Sequence, residues 1–401
     1  MVPTYTMSCF LIPKGLCEEI EGMIINFWWG QRKEEKKIAW LSWEKMCKAK
    51  LDGGLGFRNF QAFNLAMLAK QGWRLLSNPD SLCAKVYKVG YYPNGDILNS
   101  KLGCRPSYTW RSIFKGLEVV WKGSRWKVGN ERLIHIWEDK WLLTPTTYKV
   151  ISPPQPFDDF PMVSDLIDED SKRWKVDTLK SLFLPFEVET ILNIPLSYSL
   201  LEDKIIWVGN KRGEFSVKSA YYVALTVINP SYRGECSHYD PRTPLWKRIW
   251  LLKIPPKIRI FTWKACVNAL PTMSNLRKRG VSTDGLCPMC GLEDETILHA
   301  LCSCSAAKEI WSMWKDCPLV IGAESLDFFD LAMKLLDAGN PKDLEILVVV
   351  AWAIWHNRNL RVFESVSQGA EQTWNLAISL IADFKEAAKF YSLGPTSYEV
   401  S

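Results

Sequence analysis

Four cysteines and one of the chain's four histidines fall within residues 287–304, CPMCGLEDETILHALCSC. Thiolate and imidazole are the donors that zinc prefers, four at the corners of a tetrahedron, and a C-x2-C pair can grip one ion from a single tight turn. Cys287 and Cys290 form such a pair, and Gly291 behind them is free to take the left-handed backbone that the turn needs. The second half of the site must come from His299 with Cys302 or Cys304. On an unbroken helix His299 and Cys302 stand three residues apart and share a face. A break at Ser303-Cys304-Ser305, with Ser305 capping AAKEIWSMW, puts Cys304 in the joint between two helices, turned back toward the ion. The break favours Cys304, with Cys302 as the alternative. Cysteine is often a core residue and a lone histidine is often only a satisfied polar group, but the combined spacing in a histidine-poor chain points to a metal. Four protein ligands leave no open coordination position, so the Zn2+ is expected to be structural.

The elements that position this cluster are helical. KIRIFTWKACVNAL at 257–270 reads as a helix with Ile258, Phe261 and Ala265 on its buried face, and it stops at Pro271. A short helix follows, from Thr272 as N-cap to Gly280 at its C-terminal end. FQAFNLAMLAKQGWRLL at 60–76 and the tail from about 325 to 392 also read as helices. ILVVVAWAIW at 346–355 is about half the length of a membrane span and reads as a buried helix. Two segments, 125–142 and 203–225, each place short apolar-alternating runs around a Gly-containing turn, at 129–132 and 210–214, and read as β-hairpins. SPPQP at 152–156 and NPSYRGECSHYDPRTP at 229–244 read as linkers. The implied fold class is α+β, a predominantly helical multi-segment chain with short β-hairpins and a small zinc-binding module.

At 401 residues the chain is longer than one core usually grows. Its 47% hydrophobic and 23% charged residues exclude a disordered or fibrous chain. The start shows no secretory leader and no apolar run reaches the roughly 18 residues of a membrane span, so the chain is expected to be intracellular, with no membrane partner. Scattered Cys9, Cys17, Cys47, Cys83 and Cys104 show no disulfide framework. Between Asp240 and Asp284 there is no acidic residue, while ten Lys and Arg residues lie there, more than the net charge of +6 for the whole chain. Lys247, Arg248, Lys253, Lys257, Arg259 and Lys264 alternate with aromatic residues in LWKRIWLLKIPPKIRIFTWK at 245–264. Cations that bind phosphates, interleaved with rings that stack on bases, suit RNA or DNA. The same rings also suit core anchors, and Arg277, Lys278 and Arg279 suit a helix C-terminus.

The order of residues 254–311 resembles the zinc-binding domain of plant reverse-transcriptase-like proteins from non-LTR retrotransposons. VPTYTMSCFLIPKGLCEEIEGMIINFWWG (2–30), DGGLGFRNFQAFNLAMLAKQGWRLL (52–76) and WKVGNERLIHIWEDKWL (126–142) resemble the stretch that follows the polymerase domain in that family. The resemblance covers nearly the whole chain. Its C-x2-C-x8-H-x4-C spacing implies Cys287, Cys290, His299 and Cys304 as the ligands, and where this chain has Cys302 the family has an apolar or aromatic residue. The Pro-rich and polar breaks divide the chain, and the resemblance labels the pieces: a thumb-like remnant (1–60), a helical segment with a hairpin (61–151), a helix and hairpin segment (157–228), the zinc-binding domain (241–317) and a helical connector (325–395).

The aromatic-x-Asp-Asp hairpin of the family's polymerase is missing; the chain's Asp158-Asp159 sits in a Pro-flanked stretch that reads as a linker. The four carboxylates of a terminal ribonuclease H domain are not found either, the acids after Cys304 being scattered. No catalytic residue is assigned. The expectation is therefore a non-catalytic nucleic-acid-binding fragment, with RNA or DNA as partner and a separately encoded reverse transcriptase as a candidate companion. The alternatives are a protein-interaction scaffold, a degenerate remnant, or an enzyme with polymerase or ribonuclease H activity.

Overall fold

The computed structural model describes residues 4–30, 37–129, 134–144, 147–154, 162–168, 170–196, 203–230, 240–321, 325–338 and 340–392, with backbone alone at 341 and 389–392. The chain is α+β and predominantly helical, and the strands among the described residues are short and antiparallel. It forms two compact units, residues 1–22 with 58–236 and residues 23–57 with 237–401. The boundary at 236/237 lies within the Pro-rich 229–244 stretch, whereas SPPQP at 152–156 lies inside the first unit.

In the first unit the helices Phe60–Ser77, Tyr108–Gly123 and Val217–Ile228 pack together. Each begins at a side chain that satisfies one of the helix's unpaired N–H groups: Asn59 accepts from Ala62, Ser107 from Trp110 and Ser216 from Ser219. The first two helices meet through glycine. A Cβ on Gly116 would lie 2.7 Å from the backbone of Leu68 and Ala69, so only a hydrogen fits there. The buried face of Phe60–Ser77 is therefore built from Ala62, Ala66, Ala69 and Gly72 with Leu65 and Leu68, while Phe63 and Met67 are only half-buried.

Four strands are present among the described residues: β1 (Ser124–Lys127), β2 (Ile167–Asp168), β3 (Arg173–Trp174) and β4 (Lys204–Trp207). β1 pairs with β4, Ser124 opposite Trp207 and Lys127 opposite Lys204, and β2 pairs with β3. The pairing differs from the two local hairpins expected. The opening strands of the two segments pair with each other, and SVKSAYYVAL becomes a helix instead of a return strand. Ser216 caps that helix, and Ala220 and Ala224 let it pack closely against its neighbours. Ile134, Ile136, Trp141 and Leu142 leave the strand pattern to build a second core with Trp174, Leu179 and Ile191. Of the expected turn at 129–132, residues 130–132 lie outside the described residues, as does Asp158-Asp159.

The second unit has one core. The helix Pro341–Glu364, capped by Asn340 and Asp343, threads it with Leu347, Val348, Val349, Val350 and Ala351 fully buried. Against it pack the helices Pro256–Cys266, Phe328–Ala338 and Ala370–Ser392. No helix among the described residues is long and apolar enough to cross a membrane. The helix Pro256–Cys266 ends earlier than Pro271 requires, because Asn268 adopts a left-handed φ of 56°. Thr272 then caps Met273–Lys278 by accepting from Asn275, and Gly280 takes φ 70° just beyond its end.

Candidate metal centre

Residues 286–294 fold back on themselves, with Leu286 bridged to Asp294 and Cys287 N–H donating to Glu293 O at 2.8 Å. Gly291 closes the turn, donating to Cys287 O at 2.7 Å with φ 70°. This places N–H groups around sulfur: those of Met289 and Cys290 point at Cys287, and those of Leu292 and Glu293 at Cys290. A thiolate is the form such donors favour.

Of the other two ligands, Cys304 directly follows a single π turn, His299–Ser303, and His299 opens that turn. It is closed by Cys304 N–H donating to His299 O at 2.9 Å, five residues back. Inserting a residue into a helical turn in this way re-aims side chains, and such turns concentrate at functional sites. Here the wider turn carries Cys302 away from His299 and into the core at 0% exposure. Cys304, extended at φ −57° and ψ 142°, begins the next helix, Ser305–Trp311, from its N-cap position. The cap falls one residue before the Ser305 expected, and the joint turns Cys304 back toward His299.

The ligand atoms of Cys287, Cys290, His299 and Cys304 all lie within 4.8 Å of one another. Cys287 Sγ is 3.8 Å from Cys304 Sγ and Cys290 Sγ is 3.4 Å from His299 Nε2. A tetrahedral zinc with Zn–S of about 2.3 Å has S···S edges of about 3.8 Å and slightly shorter S···N edges. These two edges fit that tetrahedron, and Cys287 and Cys304 Sγ are much too far apart for a disulfide. Three of the four ligands are buried and Cys290 is half-buried.

The electrostatics agree with a dication. Burial raises the Cys287 thiol, and the neighbouring Cys304 and Cys290 raise it further, to about 12. Burial also raises Cys290, but its N–H donors, His299 and Cys287 outweigh it and bring it down to about 6. Thiolates crowded this closely repel one another, and a bound cation removes that repulsion. Cys302 is pushed up by burial alone and stays a neutral core thiol.

Sequence reasoning did not single out the outer partners. Glu293 Oε2 lies 3.1 Å from His299 Nδ1, which places the proton on Nδ1 and frees Nε2 as the ligand. Glu295, 0% exposed, accepts from Arg358 Nε and Nη2 at 2.7 Å each and from Met273 N–H at 2.6 Å. Arg361 Nε donates to Pro288 O between the two cysteines. The ribbon is thus fixed to Pro341–Glu364, about 70 residues away in sequence. An acid three residues after Cys290 was the only local signal of Glu293, and nothing local marked the Glu295–Arg358 pair.

The six cations flanking the module divide evenly. Lys247, Lys253 and Lys257 are exposed, Lys257 lying 4.5 Å from the centroid of the Trp352 ring. Arg248, Arg259 and Lys264 are half-buried; Arg259 donates to Trp250 O, and Lys264 lies 4.9 Å from the Trp29 ring, its amine pushed down by burial. None of the six forms an ion pair with a carboxylate among the described residues. Trp246, Phe261 and Trp263 are core residues, while Trp250 is half-buried and donates to Lys50 O. Of the basic run at the C-terminal end of Met273–Lys278, Arg277 pairs with Asp294 and Arg279 donates to Trp40 O.

A ribbon bearing two cysteines, followed by a π turn that opens at a histidine and ends against a cysteine, defines a four-ligand zinc-module class, and residues 215–311 match the family described as zinc-binding in reverse transcriptase. The chain is 38% identical over 146 residues to an uncharacterized mitochondrial protein of Arabidopsis thaliana, covering 36% of this chain and 95% of that one. It is 29% identical over 317 residues, 77% of this chain, to an Arabidopsis thaliana protein named as a candidate ribonuclease H protein, and spans 49% of that relative's length. The chain belongs to the plant reverse-transcriptase-like proteins that carry this zinc-binding domain.

Proposed function

We propose that the chain is a non-catalytic, nucleic-acid-binding part of a retrotransposon reverse-transcriptase-like protein, in which a structural Zn2+ held by Cys287, Cys290, His299 and Cys304 rigidifies a basic surface. The observation that carries this reading is the set of unneutralised cations on the helices Thr243–Leu251 and Pro256–Cys266 and the turn between them, which share one core with the metal ribbon. Zinc binding in small modules supplies roughly 10–16 kcal/mol of apparent free energy, enough to order a ribbon with little core of its own. With four protein ligands the ion has no position for substrate, so it holds shape. Lys247, Lys253 and Lys257, all exposed, then contact phosphates. Catalysis is left to a polymerase encoded elsewhere; among the described residues the cysteine-histidine quartet is the cluster placed to hold a metal.

The test is a fluorescence-anisotropy titration of zinc-loaded protein with labelled RNA and DNA at two salt concentrations. Binding that weakens steeply with salt is the expected result, at roughly 0.7 units of log-log slope per phosphate on a single strand. Absence of binding at low salt refutes the proposal. Hybrid-strand cleavage or primer extension with magnesium, lost on a single Asp substitution, refutes its non-catalytic part.

A further inference from the structure

The first unit contains a cleft lined by Trp121, Arg125, Lys140 and Lys149, with Asp96, Glu138 and Asp139 also on its walls. β1 contributes Arg125, and Trp126 N–H donates to Lys140 O, which pins the lysine segment beside the strand. The Lys140 ammonium lies 3.3 Å from the centroid of the Trp121 ring and donates to Trp121 O at 2.6 Å. Two of the wall carboxylates serve local turns: Asp139 accepts from His135 N–H, and Asp96 accepts from the backbone and side-chain amides of Asn99. The third, Glu138, is exposed.

Among the described residues no carboxylate pairs with Lys122, Arg125, Lys140 or Lys149. The cations of the cleft are thus not tied up in ion pairs, although Asp96, Glu138 and Asp139 stand on the same walls. Burial, with Lys149 and Lys122 adding to it, pushes the Lys140 amine down to about 8. Burial likewise lowers Arg125. A half-buried ammonium with like charges nearby, as at Lys140, is held at a cost that a bound anion removes. Arg125, whose Nη1 donates to Trp126 O, shares the cleft with two ammonium groups, a donor set that suits the tetrahedral oxygens of phosphate better than a single carboxylate. The Trp121 indole, 51% exposed at the edge of the same cleft, offers a flat surface on which a base can stack.

The geometry points to a phosphate-binding site in this cleft, in which Arg125, Lys140 and Lys149 hold the phosphate of a nucleotide, free or within a strand, and Trp121 supports its base. This site is separate from the basic surface of the second unit, and its test reads Lys140 directly.

The full-length, zinc-loaded protein is acetylated at pH 8 and modification at Lys140 and Lys149 is quantified by mass spectrometry, alone and with inorganic phosphate, AMP or a short single-stranded oligonucleotide. Lys140, with its lowered pKa, is expected to react ahead of exposed lysines and to be slowed several-fold by ligand. Protection by the oligonucleotide and not by AMP assigns the site to a strand, and protection by both assigns it to a nucleotide phosphate as such. Lys149→Gln should weaken protection of Lys140, and Trp121→Ala should reduce protection by AMP to that given by inorganic phosphate. Unchanged Lys140 reactivity with all three ligands, or full protection persisting in Lys149→Gln, overturns the site. Loss of nucleic-acid binding through Lys247, Lys253 and Lys257 leaves this readout untouched.

Discussion

Replacing Arg358 by Met tests whether the metal ribbon is held by its buried ion pair. The Arg358 side chain is 4% exposed and that of Glu295 0%, with two bonds of 2.7 Å between them. Removing the arginine leaves Glu295 buried with Met273 N–H as its remaining donor. Breaking a buried pair by deleting one partner costs about 3–5 kcal/mol, because the surviving charge is uncompensated. At about 1.4 kcal/mol per factor of ten, that is roughly a thousandfold in the folded-to-unfolded ratio. A domain has only about 5–15 kcal/mol in total, so the second unit should unfold at much lower urea. Zinc release to a chromophoric chelator along a urea titration reports this unit separately from the first. In Glu295→Gln/Arg358→Met the neutral amide still accepts from Met273, and most of the loss should be recovered. A single variant losing less than about 1 kcal/mol, or a double variant less stable than the single, refutes the reasoning.

The purified chain should hold one zinc; Cys304→Ser should lose it and Cys302→Ala retain it, as read by metal analysis, and the reverse outcome would reinstate Cys302 as the ligand. Glu293→Gln should weaken zinc affinity about tenfold, the low end for an outer partner because its carboxylate is largely exposed, measured by chelator competition. Lys247→Gln/Lys253→Gln/Lys257→Gln should lower the salt slope of nucleic-acid binding by about 2 while leaving zinc content unchanged. Gly116→Ala forces a methyl against the backbone at Leu68 and Ala69 and should cost about 1–3 kcal/mol in the first unit, followed by thermal denaturation.

Much of the site was legible because its signals are short-range. A C-x2-C turn, a glycine that can take positive φ, and a histidine at fixed spacing are properties of a few consecutive residues, and the structure brings all four nominated ligands together. The same holds for the Thr272 cap, the end of that helix at Gly280, and the burial of 346–355, where an apolar run too short for a membrane has only a core to enter. Sequence alone left Cys302 and Cys304 as alternatives, since helical periodicity argued for one and a break for the other. Tertiary packing decided between them by widening one turn, which seated Cys302 in the core and freed Cys304.

What lay beyond the sequence was every partnership between distant segments. Alternating runs at 124–127 and 204–207 carry no label saying which strand each will meet, and they met each other across 76 intervening residues. The aromatics interleaved with lysine at 245–264 fit a stacking surface and a core equally well by composition, and only the helices closing over them made Trp246, Phe261 and Trp263 core. Local chemistry thus determined which residues could bind a metal and some of the helix ends, such as Thr272 and Gly280. Which faces are covered, which charges are paired, and which acid stands behind the histidine were decided by chain segments far apart in sequence, because burial and ion pairing depend on what packs against a residue and not on its neighbours along the chain.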